Sequence, residues 1–328
     1  MIQPMPGKYL NFIILYFIHF DLERSFHYLS ADSVATNGRR AFNLTRKPKN
    51  IPMGKPIIHQ TSLSGIWGFF ALSFIFSWLV WGTMLALPLP GNLMLPLLIL
   101  GAFGPTFAAI YLVHRFGNTA AKQDFWSRVF STKRVGLMWW LLILLIFPAI
   151  YLFGYFIYSF FGGGQPPVAS MFAGLDSPSA ILLFAFVMTM AGPVSEELGW
   201  RGYVLDPLQQ RYGAIAGSCI LGLVWILWHL PLFFIEGTSQ HAKGFGYQFW
   251  SWSFQLIALS FIFTWIYNNT NQSILGAIVL HLMANMFYPT NLEPTGELIF
   301  TIVRVLVVLA IVLVWKRMAI ERKEIVVV

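Results

Sequence analysis

Charged residues are scarce in this chain of 328 residues. Asp, Glu, Lys and Arg together make up 10% of it, whereas hydrophobic residues make up 57% and include 31 Phe and 13 Trp. A soluble domain does not keep so much apolar surface from water, so the composition excludes an ordinary soluble globular protein. Cys219 is the one cysteine, which excludes a disulfide within the chain.

The hydrophobic residues are concentrated in runs close to the length of about 20 residues that a helix needs to cross a bilayer core. We therefore predict an all-α fold, a polytopic membrane helical bundle with about eight transmembrane helices. The fourth and seventh runs are short, and each is expected to continue through a polar stretch that protein surrounds. The predicted spans are 66–87, 93–114, 137–161, 179–192, 215–235, 249–267, 274–288 and 298–315.

Lys and Arg residues lie next to these spans almost entirely on one side, which predicts that both termini are cytoplasmic. Because the basic residues flank helices, the net charge of +8 calls for no nucleic-acid partner. We interpret 1–62 as a flexible N-terminal arm, with Met53 as an alternative natural start. Residues 63–318 form the predicted bundle, with its core at about 179–288, and 319–328 form a cytoplasmic tail. The expected location is the cell membrane of a prokaryote.

Ionisable side chains inside spans cost roughly 2.5 to 3.5 kcal/mol each, so every such group requires a reason. The first cluster is Glu196, Glu197 and Arg201, near the cytoplasmic end of the fourth predicted helix. Glu197 and Arg201 are four residues apart on one helix face, which predicts an ion pair and leaves Glu196 pointing elsewhere. Arg304, in the last helix, is expected to snorkel or to pair with Glu297.

Two further clusters lie on later helices. Trp225 and His229 fall in the fifth apolar run, and His281 and Asn285 share one face of the seventh helix, one turn apart. Each cluster has an ordinary structural explanation, as an interfacial charge group, an interhelical hydrogen bond or a packing Trp. The joint occurrence of three clusters on three helices favours a functional site.

These side chains suit hydrolysis of a peptide bond, which needs an activated water and stabilisation of the developing oxyanion. Glu196 is the candidate general base in a partly dry site. His229 is expected to hold the same water or to shuttle the proton. His281 and Asn285 are expected to donate hydrogen bonds to the oxyanion.

A zinc site is the alternative. Glu196, His229 and His281 form a sufficient ligand set with an open fourth position, although the chain has no His-Glu-x-x-His run. We prefer the metal-free interpretation because Asn285 suits an oxyanion donor better than a metal ligand. Zinc is therefore a possible cofactor, and none is assigned.

The three motifs Glu-Glu-x-x-x-Arg, aromatic-x-x-x-His and His-x-x-x-Asn, on successive hydrophobic helices, resemble those of the CAAX protease and bacteriocin-processing family. This family is also called the abortive-infection family and includes the type II CAAX prenyl endopeptidase. The resemblance covers roughly 179–288. It implies that Glu196 is the base, that His229 and His281 are catalytic, and that Asn285 belongs to the oxyanion site. The supporting motif residues are Glu197, Arg201 and Trp225, the last standing where the family usually has Phe.

The resemblance predicts an intramembrane endopeptidase whose partners are the lipid bilayer and a membrane-associated peptide, either a prenylated CAAX-type chain or a leader. The alternatives are a transport or binding protein that lines a path with the same residues, and an inactive immunity or scaffold member. Glu196 and His229 are expected at different depths in the membrane, which conflicts with a common site. His229 is roughly 21 Å from the cytoplasmic side, whereas Glu196 is expected near that side. A common site requires tilt, a re-entrant fourth helix or a later start of the fifth.

Overall fold

The fold was obtained as a computed structural model that describes residues 63–164, 175–289, 292–315 and 318. The chain divides into two compact units, Met1–Ile58 and His59–Val328, and the described residues all belong to the second. These residues form helices and turns and no strand, which confirms the predicted all-α class. The predicted N-terminal arm and the residues of the predicted tail lie outside the described residues.

Twelve α-helices are present in the described part of the chain. Polar residues cap several of them: Asn118, Ser177 and Ser273 each accept a hydrogen bond from the backbone of the first turn that follows. The helices are α1 Leu63–Ala86, α2 Gly91–Ala102, α3 Gly104–Phe116, α4 Thr119–Phe130, α5 Leu137–Ser159, α6 Pro178–Thr189, α7 Ser195–Gly199, α8 Leu205–Trp228, α9 Ser239–Lys243, α10 Tyr247–Asn269, α11 Ile274–Met286 and α12 Pro294–Val314.

Five stretches among the described residues are long and apolar enough to cross a membrane, or six if α2 and α3, bent by 42°, form one span. The predicted fourth and fifth spans share a single stretch of 57 residues, Pro178–Phe234, and the predicted seventh is the shorter helix α11. These two features account for the difference from the predicted eight. The protein is an integral membrane helical bundle.

The stretch Pro178–Phe234 is interrupted twice. After α6, Ala191 and Gly192 leave helical geometry, with φ of 140° at Gly192. At Gly213, φ is 81° and ψ is 162°, and a Cβ atom on Gly217 would lie 3.3 Å from the backbone of Leu208. Residues nine apart in a straight helix are about 13.5 Å apart along its axis, so the chain turns back on itself at Gly213.

This turn explains how Glu196 and His229 share one site although the sequence predicts different depths for them. The fourth helix does continue beyond its apolar part, as expected, through α7, a π-helical turn Trp200–Val204 and the start of α8. The prediction that Glu196 lies near the cytoplasmic helix end was wrong, because helical chain continues from it to the turn at Gly213. The part of α8 after Gly213 runs back towards Glu196: Trp225 donates to the Glu196 carboxylate, and His229 lines the same cavity.

Close packing holds α7 in place. A Cβ atom on Gly199 would lie 2.5 Å from Pro105 of α3, so only glycine permits this approach of the two helices. The Thr106 hydroxyl donates to the backbone carbonyl of Val194, at 2.9 Å, beside the break before α7. The segment that carries Glu196 is therefore fixed against α3.

Candidate active site

Glu196 is buried at the start of α7, and two indoles hold its carboxylate. Oε2 accepts hydrogen bonds from Nε1 of Trp200, at 3.2 Å, and from Nε1 of Trp225. Its other oxygen, Oε1, has the Cβ position of Gly192 at 3.6 Å. The motif residue Trp225, interpreted from sequence mainly as a packing residue, therefore orients the carboxylate by binding one oxygen and leaving the other for a reactant.

Glu197 makes the predicted ion pair with Arg201, with 2.9 Å between Oε1 and Nη1. The same oxygen accepts the Nδ1 hydrogen of His281 at 2.7 Å, a contact that the motifs did not predict. The Arg201 guanidinium lies 4.8 Å from the ring centroid of Trp225 and 4.3 Å from that of Phe263. All of these charged groups are buried. Glu197 therefore links the first motif to the third by a charge-assisted hydrogen bond.

His281 and Asn285 lie together beside the broken backbone at Gly192. An ideal Cβ atom on Gly192 would be 3.3 Å from Nε2 of His281 and 3.2 Å from Nδ2 of Asn285. Oε1 of Glu196 is 3.6 Å from the same point. The three groups therefore lie close together around Gly192.

His229 ends α8, where a 3-10 turn, Leu230–Phe234, follows it. Its Nδ1 hydrogen is donated to the backbone carbonyl of Trp225 at 2.7 Å, so in the neutral ring Nε2 is an acceptor. The imidazole packs against the rings of Trp228 and Trp252, with centroids 4.7 and 5.4 Å away. This packing fixes the ring and its tautomer.

A cavity of about 350 Å³ is lined by Glu196, His229, His281 and Asn285. The same cavity reaches residues that the motifs did not identify. They are Lys243, Gln255, Tyr288 and Arg304. The glycine at the break, Gly192, adjoins the motif residues Glu196, His281 and Asn285. Two sequence signals mark part of this set: a Gly-Pro pair inside the fourth apolar run and an arginine inside the last one.

The expectation that Arg304 snorkels or pairs directly with Glu297 was wrong. It is buried, and the salt bridges of the described residues do not include it. Instead Gln255 joins it to Glu297: the amide oxygen of Gln255 accepts from Arg304, and its Nε2 donates to Glu297 at 3.2 Å. Arg304 therefore lines the cavity, where Gln255 holds its guanidinium, and it does not snorkel.

The alternative of a zinc site at Glu196, His229 and His281 is not supported by the part of the chain that the structure describes. Within it, no group of three His, Cys, Asp or Glu side chains is arranged to hold a metal ion. Nδ1 of each imidazole donates within the protein, to Trp225 for His229 and to Glu197 for His281, which leaves only Nε2 of each ring for a ligand. Since the described side chains are not arranged as a zinc ligand set, we derive no step through zinc.

Two comparisons indicate which class of protein carries this buried carboxylate, two imidazoles and carboxamide inside a membrane helical bundle. A family model described as type II CAAX prenyl endopeptidase Rce1-like matches residues 178–287. CAAX prenyl protease 2 of Methanococcus maripaludis is 28% identical over an alignment of 261 residues, and the match covers 77% of this chain and 95% of the relative. These matches confirm the resemblance to CAAX-type intramembrane proteases.

Replacing Gly192 by Ala is expected to lower kcat/KM for peptide cleavage by about 100-fold or more, because a misplacement of about 1 Å in a reacting group has an effect of that size. The added methyl group would lie 3.2 Å from Nδ2 of Asn285 and 3.3 Å from Nε2 of His281, which is closer than ordinary contact, and would push both groups away. Initial rates on a membrane-anchored fluorogenic peptide measure the effect.

The matched control is Gly237→Ala. Gly237 also has a positive φ, of 86°, but no atom lies within 4 Å of its Cβ position. Both variants therefore strain the backbone, but only Gly192→Ala obstructs the site. Equal losses of activity in both variants would show that strain, and not obstruction, explains the result.

Proposed function

We propose that this protein is a glutamate-dependent intramembrane endopeptidase that cleaves membrane-associated peptides. One observation carries the proposal: Oε1 of Glu196, Nε2 of His281 and Nδ2 of Asn285 lie within 3.6 Å of one point beside a cavity of the membrane bundle. A base and two polar groups are therefore close enough together to act on one substrate bond.

In the first step a water binds between Glu196 and His229. Nε2 of His229 accepts one hydrogen bond from this water, and Oε1 of Glu196 removes its other proton as the oxygen attacks the scissile carbonyl carbon. The carbonyl oxygen becomes an oxyanion. Nδ2 of Asn285 donates to it, and so does Nε2 of His281 when that ring carries both hydrogens.

In the second step the tetrahedral intermediate breaks its carbon–nitrogen bond. The proton held by Glu196 passes to the leaving nitrogen, so the products are a new carboxyl terminus and a new amine, and the carboxylate is restored. Glu196 thus acts first as a base and then as an acid. Because water is the nucleophile, no covalent enzyme intermediate is needed.

The supporting motif residues position these groups. Glu197 accepts the Nδ1 hydrogen of His281 and so turns Nε2 towards the oxyanion. Arg201 balances the charge of Glu197, and Trp225 binds the second oxygen of Glu196. We assign these three residues a positioning role.

For the substrate we propose a peptide with a CAAX-type C-terminus, which the name of the relative supports. The basic residues that flank the spans support an orientation with both termini in the cytoplasm, and we propose the cell membrane of a prokaryote as the location.

Chelation tests the metal-free mechanism. The purified protein in liposomes is expected to keep its rate of cleavage of a membrane-anchored peptide after treatment with EDTA and 1,10-phenanthroline, because Glu196 supplies the base without a metal. A zinc-dependent protease treated in parallel controls for effective chelation. Loss of activity that added Zn²⁺ restores would overturn the metal-free mechanism and favour Glu196, His229 and His281 as ligands.

A further inference from the structure

Trp228 is the last residue of α8, and its side chain contacts both parts of the site that bind the attacking water. The indole is buried, with 1% of the residue exposed. Its ring centroid lies 4.7 Å from that of His229 and 5.8 Å from that of Trp200, which donates to Glu196. A shift of Trp228 would therefore disturb the proposed base and its imidazole partner together.

The first helix, α1, holds Trp228 by two hydrogen bonds from neighbouring residues. Nε1 of Trp228 donates to Oγ of Ser77 at 2.8 Å, and Nε1 of Trp78 donates to the backbone carbonyl of Trp228 at 3.0 Å. The ring of Trp81, one turn further along α1, lies 4.8 Å from the ring of Trp228. One hydrogen bond thus fixes the side chain of Trp228, and the other fixes its backbone.

The backbone carbonyl of Trp228 needs a donor from outside its own helix. The last carbonyls of an α-helix have no partner within it, and a following 3-10 turn would supply the N–H three residues further on. That residue is Pro231, which has no N–H. The N–H of Leu232 donates to the carbonyl of His229, at 2.9 Å. The indole of Trp78 is therefore the donor that the end of α8 uses at this carbonyl.

Ser77 is held in place as firmly as Trp228. It is completely buried, and a Cβ atom on Gly104 of α3 would overlap its hydroxyl, so α3 closes that side. Among the described residues, those that line the catalytic cavity do not include Ser77 or Trp78. Both also lie outside the three sequence motifs. Any effect of these two residues on catalysis is therefore transmitted through Trp228.

We propose that Ser77 and Trp78 are positioning residues for catalysis, which hold Trp228 so that Nε2 of His229 points at the attacking water. The inference rests on the proposed function, in which His229 binds that water. The two hydrogen bonds fix the ring that packs against the imidazole and the peptide group that precedes it. Loss of either bond frees the end of α8, and the His229 ring moves with it.

The test removes each hydrogen bond separately. Trp78→Phe keeps an aromatic ring without the N–H, and Ser77→Ala removes the acceptor. Each is expected to lower kcat for a membrane-anchored peptide in liposomes by about 10- to 100-fold with KM unchanged, because a misplacement of about 1 Å has an effect of that size. The control Trp67→Phe, at a residue 62% exposed and about 16 Å away along α1, is expected to keep the wild-type kcat.

A double-mutant cycle with His229→Ala separates positioning from a purely structural role. Trp78→Phe is expected to lower kcat in the wild-type background and to leave it unchanged in the His229→Ala background, where no imidazole remains to be misplaced. A smaller folded fraction would instead lower the rate by the same factor in both backgrounds. An equal loss in the two backgrounds would overturn the positioning role.

Trp78 is 40% exposed, so Trp78→Phe tests the proposal even if Ser77→Ala does not fold. Wild-type kcat in Trp78→Phe, with the rate abolished in Glu196→Gln, would overturn the positioning role and leave the proposed function standing. No cleavage by the wild type, or cleavage that Glu196→Gln does not change, would overturn the proposed function and the positioning role with it.

Discussion

Glu196→Gln is expected to lower kcat for cleavage of a membrane-anchored peptide by about 10² to 10⁴-fold, the range that general base catalysis contributes. The glutamine amide has the size of the carboxylate and still offers an oxygen to the indoles of Trp200 and Trp225. It does not take a proton from water at neutral pH. The loss should therefore fall on kcat, with the folded state preserved, and initial rates over a range of substrate concentrations measure it.

Glu236→Gln is the matched control for this variant. Glu236 is exposed on the turn after Phe234, outside the cavity, and the same change there is expected to leave kcat unchanged. Comparable thermal unfolding of the two variants in detergent would show that both are folded. Wild-type activity in Glu196→Gln would exclude Glu196 as the base.

Asn285→Ala is expected to lower kcat by about 10² to 10³-fold, as removal of one oxyanion donor does in other hydrolases. In the proposed mechanism Nδ2 of Asn285 donates to the carbonyl oxygen as it becomes charged, so its hydrogen bond strengthens in the transition state. KM should consequently change little, because the ground-state carbonyl gains less from the same donor. Steady-state kinetics on one peptide separate the two constants.

The same substitution at Asn268 is the control. Nδ2 of Asn268 donates to Gln209 at 2.7 Å, away from the catalytic cavity, and Asn268→Ala should lower stability without lowering kcat of the folded fraction. An effect of Asn285→Ala on KM alone would contradict an oxyanion role and would indicate a contact made equally in the bound substrate and the transition state.

The helices were predictable from sequence because apolar length is a local property. Each of the eight predicted spans corresponds to helical chain in the described residues, and the continuation of the fourth span beyond Gly192 followed from its shortness. The position of Glu196 along the bundle, relative to His229, was not predictable in this way. It depends on the turn at Gly213, where a glycine with positive φ reverses the direction of the chain within α8.

The site was predictable where its geometry is local. Glu197 and Arg201 pair because four residues bring side chains together on a helix, and His281 and Asn285 share a face for the same reason. The bond from His281 to Glu197 joins residues 84 apart in the chain, and periodicity does not encode such a pairing. Lys243 and Arg304 reach the cavity through packing of α9 and α12, which their own sequences do not specify.

Mass spectrometry of a membrane-anchored peptide, incubated in liposomes with the purified protein in H₂¹⁸O, tests the central claim most directly. The account predicts two fragments from one cleavage, with one ¹⁸O atom in the new carboxyl group, and no fragments from the same peptide with Glu196→Gln. An uncleaved peptide with the wild-type protein, or the same labelled fragments with Glu196→Gln, would contradict it.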